Sequence, residues 1–184
     1  MSRFKNLQKQ LGFFTAVSFY RKLKSGNLSN LRTGNLVHQF NLRNNPFDYA
    51  TFEEVILNEA YNIPFGFEPK FIIDGGGNIG LTACFFASKF PAAAIITIEP
   101  DTDNYNLLQL NCKAYANIQT LQCGIWKNDT HLKIENTHAG NNAFTVIQTK
   151  EAGADTIKAL TVLSVMEQFN MPHIDVLKLD IEGS

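Results

Sequence analysis

No acidic residue occurs before Asp48. Residues 1–47 carry Arg3, Lys5, Lys9, Arg21, Lys22, Lys24, Arg32 and Arg43, and all seventeen acids follow, so a formal net charge of −1 conceals a basic arm on an acidic body. Such an arm suits an anionic partner (a membrane surface, an acidic or lipid-linked glycan, or nucleic acid without sequence-specific recognition) or forms a plain solvated helix face. Cysteine is scarce too. Cys84, Cys112 and Cys123 are odd in number and form no Cys-x-x-Cys pair, which argues against a disulfide framework and a zinc site and for a reducing compartment. The four histidines show no ligand spacing, and no metal is expected. Long apolar runs are missing as well. Leu11 to Tyr20 is far shorter than the roughly 20 residues that span a bilayer, and no small-residue cleavage site follows it. It reads as an amphipathic helix, with Leu11, Phe14, Ala16, Val17 and Tyr20 near helical spacing. The expected setting is cytoplasmic, with the arm available to hold the chain at the inner face of the membrane.

What the chain does have, from Lys70 onward, is alternation. Phe71 to Asp74 is a nearly all-apolar strand, as a strand buried on both faces should be. Ile79 to Lys89 reads as a helix, Ile95 to Glu99 as a second strand, and Asp101 or Thr102 caps a helix running to about Ala116. Thr120 to Trp126 is a third strand. Weaker signals follow: a surface strand over His131 to Glu135, a polar loop over Asn136 to Asn142, a turn over Lys150 to Asp155, a strand over Leu160 to Ser164 with a short helix to Phe169, and a fourth core strand over Ile174 to Asp180. Upstream, Asn35 to Arg43 is a strand or extended arm and Tyr49 to Glu59 a helix. The fold class is α/β, a doubly wound Rossmann-like parallel sheet, with a basic helical arm over residues 1–69 and a cofactor-binding domain over 70–184. Right-handed crossovers put a cofactor at the carboxyl ends of the strands.

Gly75, Gly77 and Gly80 follow the first strand as G-x-G-x-x-G, and Glu99 comes about twenty residues later, the distance of a dinucleotide fingerprint. That alone supports a nicotinamide-dependent oxidoreductase. Asp74, directly before the glycines, points elsewhere: a carboxylate there repels a pyrophosphate and suits a cofactor bearing an ammonium group.

Asp74-Gly75-Gly76-Gly77-Asn78-Ile79-Gly80 resembles the D-x-G-A-N-x-G loop of FkbM-type S-adenosylmethionine-dependent methyltransferases. Glu99-Pro100-Asp101, with Leu107, Leu108 and Asn111, resembles that family's E-P helix start and L-x-x-N. Val176 to Gly183 resembles its L-K-x-D-x-E-G block. Arg43, Asp48, Phe52 and Tyr61 resemble, more loosely, the arm that precedes its cofactor loop. Gly77 stands where alanine is usual, and Ser164 where an Asp often follows. The resemblance implies S-adenosylmethionine as cofactor. It implies that Asp74 and the loop Gly76 to Gly80 hold the methionine part, with Asn78 bonding within or beside the loop. It further implies that Glu99 takes both ribose hydroxyls and that Gln122 and Gly124 lie near the adenine. The plain alternatives are a structural tight turn, a helix-start acid and a surface strand end.

Methyl transfer is an in-line displacement, so alignment is the protein's main task. A hydroxyl nucleophile gains about 10²–10⁴-fold from a base in reach. Asp180 and Glu182 are the candidate bases, and Lys178, alternating with Asp180, either pairs with it or meets an anionic substrate. The alternative for this trio is a buried ion network bracing the strand end; His138 and His173 are weaker candidates. Asp180 to Gly183 lacks the Asn/Asp-Pro-Pro-aromatic turn of enzymes that methylate base amines, which favours oxygen. The expected function is O-methylation of a hydroxyl on a sugar, glycan, glycolipid or secondary metabolite. The family's sheet has seven strands in order 3-2-1-4-5-7-6, and this chain supplies strands 3, 2, 1 and 4. The expectation is a fragment lacking the C-terminal part of the domain, and a truncated, non-catalytic binding module stays open beside the enzyme.

Overall fold

A computed structural model describes residues 3–136, 144–149, 153 and 155–180. Two helices come first, α1 (Arg3–Leu11) and α2 (Phe13–Ser25), then α3 (Pro46–Phe52), which runs into a π-helical turn over Glu53–Leu57. Asn45 starts α3 by accepting from the Asp48 N–H at 2.8 Å, and Pro46 sits in the first turn, where its missing N–H costs nothing. The expected helix over Tyr49 to Glu59 is this pair. Asn35 to Arg43 forms no named strand: it starts in a turn, bends at Val37 and His38, and pairs through the isolated Leu31–Phe40 bridge and the Leu42 N–H, which donates to the Leu28 carbonyl at 3.0 Å.

The alternating part begins with β1 (Phe71–Gly75), α4 (Leu81–Lys89), β2 (Ala94–Ile98) and α5 (Thr102–Cys112), followed by β3 (Ile118–Leu121) and β4 (Gly124–Ile125). Next come β5 (Thr130–Asn136), β6 (Phe144–Thr149), β7 (Thr156–Leu160), α6 (Val162–Gln168) and β8 (Val176–Leu179). The main sheet has order β3-β2-β1-β8, all parallel, as the doubly wound reading expects. Its two faces follow from strand alternation. Ile72 and Ile95 face a core shared with α4, α5 and the N-terminal segment, while Ile73, Ile96 and Ile98 face a second core with Ile125, Leu160 and Val165. Stacked rings tie the N-terminal segment to the first core: Phe52 lies 4.5 Å from Phe19 and 5.8 Å from Phe40.

Among the boundaries that differ from the sequence reading, three bear on the site and the sheets. The strand expected over Thr120 to Trp126 is two pieces. β3 follows β2 only to its end, and the chain then turns at buried Cys123 so that β4 joins β7 in a second sheet of order β4-β7-β5-β6. The strand expected over Leu160 to Ser164 ends at Leu160, because Thr161 caps α6 through its hydroxyl, which accepts from the Ser164 N–H at 3.0 Å. The helix after Glu99 stops at Cys112 rather than near Ala116. Most of the polar loop after Asn136 and most of the Lys150 to Asp155 turn lie outside the described residues.

Candidate active site

β1 ends in a turn shaped by its glycines. The N–H groups of Gly76 and Gly77 both donate to the Ile98 carbonyl, at 3.0 and 2.8 Å, so the turn folds over the tip of β2. Gly76 has φ +76°, and a Cβ built on it would lie 1.9 Å from the Asp180 carbonyl oxygen; no side chain fits there. A Cβ on Gly77 would meet the Thr97 hydroxyl at 2.2 Å. Gly80 packs elsewhere: its close neighbours are Cys112 and Leu108 of α5, so it sets the helix contact and does not line the cleft.

Over the strand tips opens a cleft of about 730 Å³. Gly76, Asn78, Glu99, Gly124 and Asp180 line it, joined by Asn45, Phe47, Thr51 and Glu54 from the segment before β1. Glu99 is its buried acid, 6% exposed. The Asn78 N–H donates to Oε2 at 2.8 Å and the Asp101 N–H to Oε1 at 2.9 Å. A carboxylate oxygen can accept two hydrogen bonds, so each retains capacity. Burial pushes the Glu99 carboxyl above the usual range, and these backbone bonds pull partly the other way. Asn78 is itself left-handed, at φ +49°, and its Nδ2 donates to Thr51 Oγ1 at 3.2 Å, which joins the loop to α3.

Asp74 lies beneath this turn, fully buried and outside the lining. Thr97 Oγ1 donates to its Oδ2 at 2.9 Å. The Lys178 ammonium stands 3.0 Å from Oδ1, off the hydrogen-bond direction, so this contact is an ion pair rather than an aligned hydrogen bond. Lys178 also donates to the Gly76 carbonyl at 2.7 Å and lies 3.8 Å from Asp180. The sequence-predicted pair Lys178 and Asp180 therefore does share a side of β8, but only Asp180 lines the cleft. Tyr61 donates to Asp180 Oδ2 at 3.3 Å. Burial, then the charge of Asp180, pushes the Tyr61 phenol above its usual value, so it stays a donor. Gln122 turns aside and donates to Thr102 Oγ1 at 3.0 Å, outside the lining. Glu182 and His138 lie outside the described residues, and His173 pairs with Asp175 away from the cleft.

Thr51, Glu54, Phe47 and Thr97 escaped the sequence reading. Thr97 left a signal: it is the polar residue inside Ile95-Ile96-Thr97-Ile98. The other three lie in a helix whose spacing speaks only of packing.

A parallel sheet with helices on its faces and an acid-lined cleft over its carboxyl ends defines a Rossmann-like α/β domain. The Methyltransferase FkbM domain model matches residues 74–184, and the chain belongs to this family. It is 25% identical to "Methyltransferase 1" of Beauveria bassiana over 157 residues, covering 72% of this chain and 62% of that protein. It is 32% identical to "Methyltransferase sdnD" of Sordaria araneosa over 77 residues, covering 40% and 30%. It is 27% identical to "Hexuronic acid methyltransferase AglP" of Haloferax volcanii over 117 residues, covering 63% and 47%. The chain thus spans less than two thirds of the length of each of these relatives. Among the described residues, no helix is long and apolar enough to cross a membrane.

Proposed function

We propose that this chain binds S-adenosylmethionine in the cleft over β1 and β2 and serves an O-methyltransferase acting on a sugar, glycan, glycolipid or secondary-metabolite hydroxyl. One observation carries the reading: the charge of the cleft lining. Glu54, Glu99, Asp101 and Asp180 line it, and the one cation among the described lining residues, Arg43, is held by Asp48 at 2.7 Å and Asn104 at 2.6 Å. Such a lining favours a sulfonium and an ammonium and disfavours a pyrophosphate. Gly76 lines the cleft with backbone alone and packs against the Asp180 backbone, which leaves the main chain of the loop open to a cofactor. When bound, the cofactor supplies an electrophilic methyl group on sulfur.

The protein's own residues divide the rest of the work. Glu99 takes the ribose hydroxyls, and Asn78 and Gly76 shape the loop. Asp74 acts from below, holding Lys178 and through it the carbonyl of Gly76. Asp180, at the cleft rim with its carboxylate 59% exposed, is the candidate base, and Tyr61 orients it. A carboxylate so exposed needs the acceptor to displace water before it can take a hydroxyl proton efficiently. The name of the Haloferax volcanii relative supports a sugar acceptor.

Calorimetric titration with S-adenosylhomocysteine and with NAD tests the cofactor. Binding of NAD alone ends this reading in favour of an oxidoreductase. A screen of sugar and metabolite acceptors with labelled methyl donor then tests transfer. Donor binding with no transfer to any acceptor pool would leave a binding module.

A further inference from the structure

α1 and α2 are joined by one residue, Gly12, whose φ of +77° turns the chain between them. The turn brings Phe13 and Phe14 to the start of α2 facing outward, 55% and 86% exposed, with their rings edge to face at 5.7 Å. The same helix sends Ala16 and Phe19 into the core, so its inward face is already filled. On a helix, Arg21 falls in line with Phe14 at i+7, and Lys24 with Phe13 at i+11. Both basic residues are exposed. Beside this crest, a groove of about 330 Å³ runs between α2 and Asn30 to Arg32, floored by Phe19 and Leu31 and rimmed by Lys22 and Arg32.

We propose that this face docks on an anionic lipid bilayer. Phe13 and Phe14 enter the boundary between headgroups and acyl chains, and Arg21, Lys24 and Arg32 meet lipid phosphates. Charge complementarity selects this occupant: Arg21 and Lys24 lie along the crest, Arg32 rims the groove beside it, and no acid precedes Asp48, which is itself paired with Arg43, so nothing near the aromatic pair in sequence repels an anionic surface. Shape agrees. Two adjacent aromatics projecting from a helix corner make a wedge, and an amphipathic helix lying in the interface uses aromatics below and bases along its flank. The inference stands apart from the cofactor reading, and neither needs the other.

The test is co-sedimentation of the full chain with vesicles of phosphatidylcholine alone and of phosphatidylcholine mixed with phosphatidylserine. The chain should bind the mixed vesicles, bind the neutral ones far less, and be released by salt. Phe13→Ser/Phe14→Ser should lower partitioning about tenfold or more, and Arg21→Ala and Lys24→Ala about fivefold each. All four side chains are exposed, and circular dichroism checks that the variants fold. Equal binding to neutral vesicles, unchanged binding of the phenylalanine variant, or no binding by the folded wild-type chain overturns the proposal. So does a concentration-dependent dimer abolished by the phenylalanine substitutions, which would assign the face to a second copy.

Discussion

The Lys178 ammonium donates to the Gly76 carbonyl at 2.7 Å, tying the end of β8 to the turn that follows β1. The same ammonium is the ion partner of Asp74, and their side chains are 10% and 0% exposed. Removing one member strands a buried charge. Lys178→Met should therefore destabilise the fold by about 3 kcal/mol in chemical denaturation. Asp74→Asn/Lys178→Met should recover much of that loss, because it removes both charges together. Equal losses in the single and double variants would dismiss the pairing.

Gly12 and Gly76 share a positive φ, +77° and +76°, in different surroundings. A Cβ on Gly12 meets nothing within 4 Å, so Gly12→Ala should cost only the backbone penalty of a glycine-only conformation, φ +77° and ψ 165°, about 1–3 kcal/mol. Gly76→Ala bears a positive-φ penalty of its own and also drives a methyl into the Asp180 backbone. Overpacking should add a further ~1–3 kcal/mol and abolish binding of S-adenosylhomocysteine. Thermal unfolding of the two variants, followed by titration, separates these costs. Comparable behaviour in both would mean that the loop yields easily.

Arg43 grips Asp48 through Nε and Nη2, and Asp48 is 1% exposed. The Asp48 carboxylate also accepts the Arg43 backbone N–H at 2.8 Å, a bond that survives side-chain truncation. Arg43→Ala should cost about 2 kcal/mol, below the full value for a broken buried pair, because this bond remains and the guanidinium is over a third exposed. Arg43→Lys should restore only part, since a lysine cannot reproduce the fork. Donor affinity should fall in step as the α3 wall loosens, measured by titration beside the melting curves.

Much of this architecture was written in the chain. Phe71 to Asp74 and Ile95 to Glu99 announce themselves as buried parallel strands by unbroken apolar character, and the glycines between them mark the turn. β3 and β4 did not separate, because Thr120 to Trp126 reads as one strand; the break comes from β2 running out of partners, a tertiary fact. The site was legible where backbone geometry demands a residue type, as at Gly76, or where an acid ends a strand, as at Glu99. It was not legible where a wall is built by chance of packing. Phe47, Thr51 and Glu54 reach the cleft because the Phe19–Phe52 stack docks α3 there. Asp74 shows the same limit: its position was clear, but its burial beneath the loop depends on Lys178, far along the chain.

Glu99 links stability to pH and to cofactor. Burial raises its pKa in the folded chain, so the folded state holds this proton more tightly than the unfolded state does. The residue's contribution to stability is therefore fully present below its unfolded pKa and is lost as pH rises through its higher folded pKa. With the proposed ribose role for Glu99, donor binding should run the opposite way, since only an ionised carboxylate could accept both hydroxyls while keeping its bonds from Asn78 and Asp101. Affinity for S-adenosylhomocysteine should climb as pH rises through the raised folded pKa and then level off. Glu99→Gln carries no charge at any pH. It should flatten both dependences and weaken binding at neutral pH by about tenfold, the difference between charged and neutral hydrogen bonds. Calorimetry from mildly acidic to neutral pH measures the affinity, and denaturation over the same range measures the stability. An acid limb of affinity that persists unchanged in the glutamine variant would assign it to another group and remove Glu99 from the ribose site.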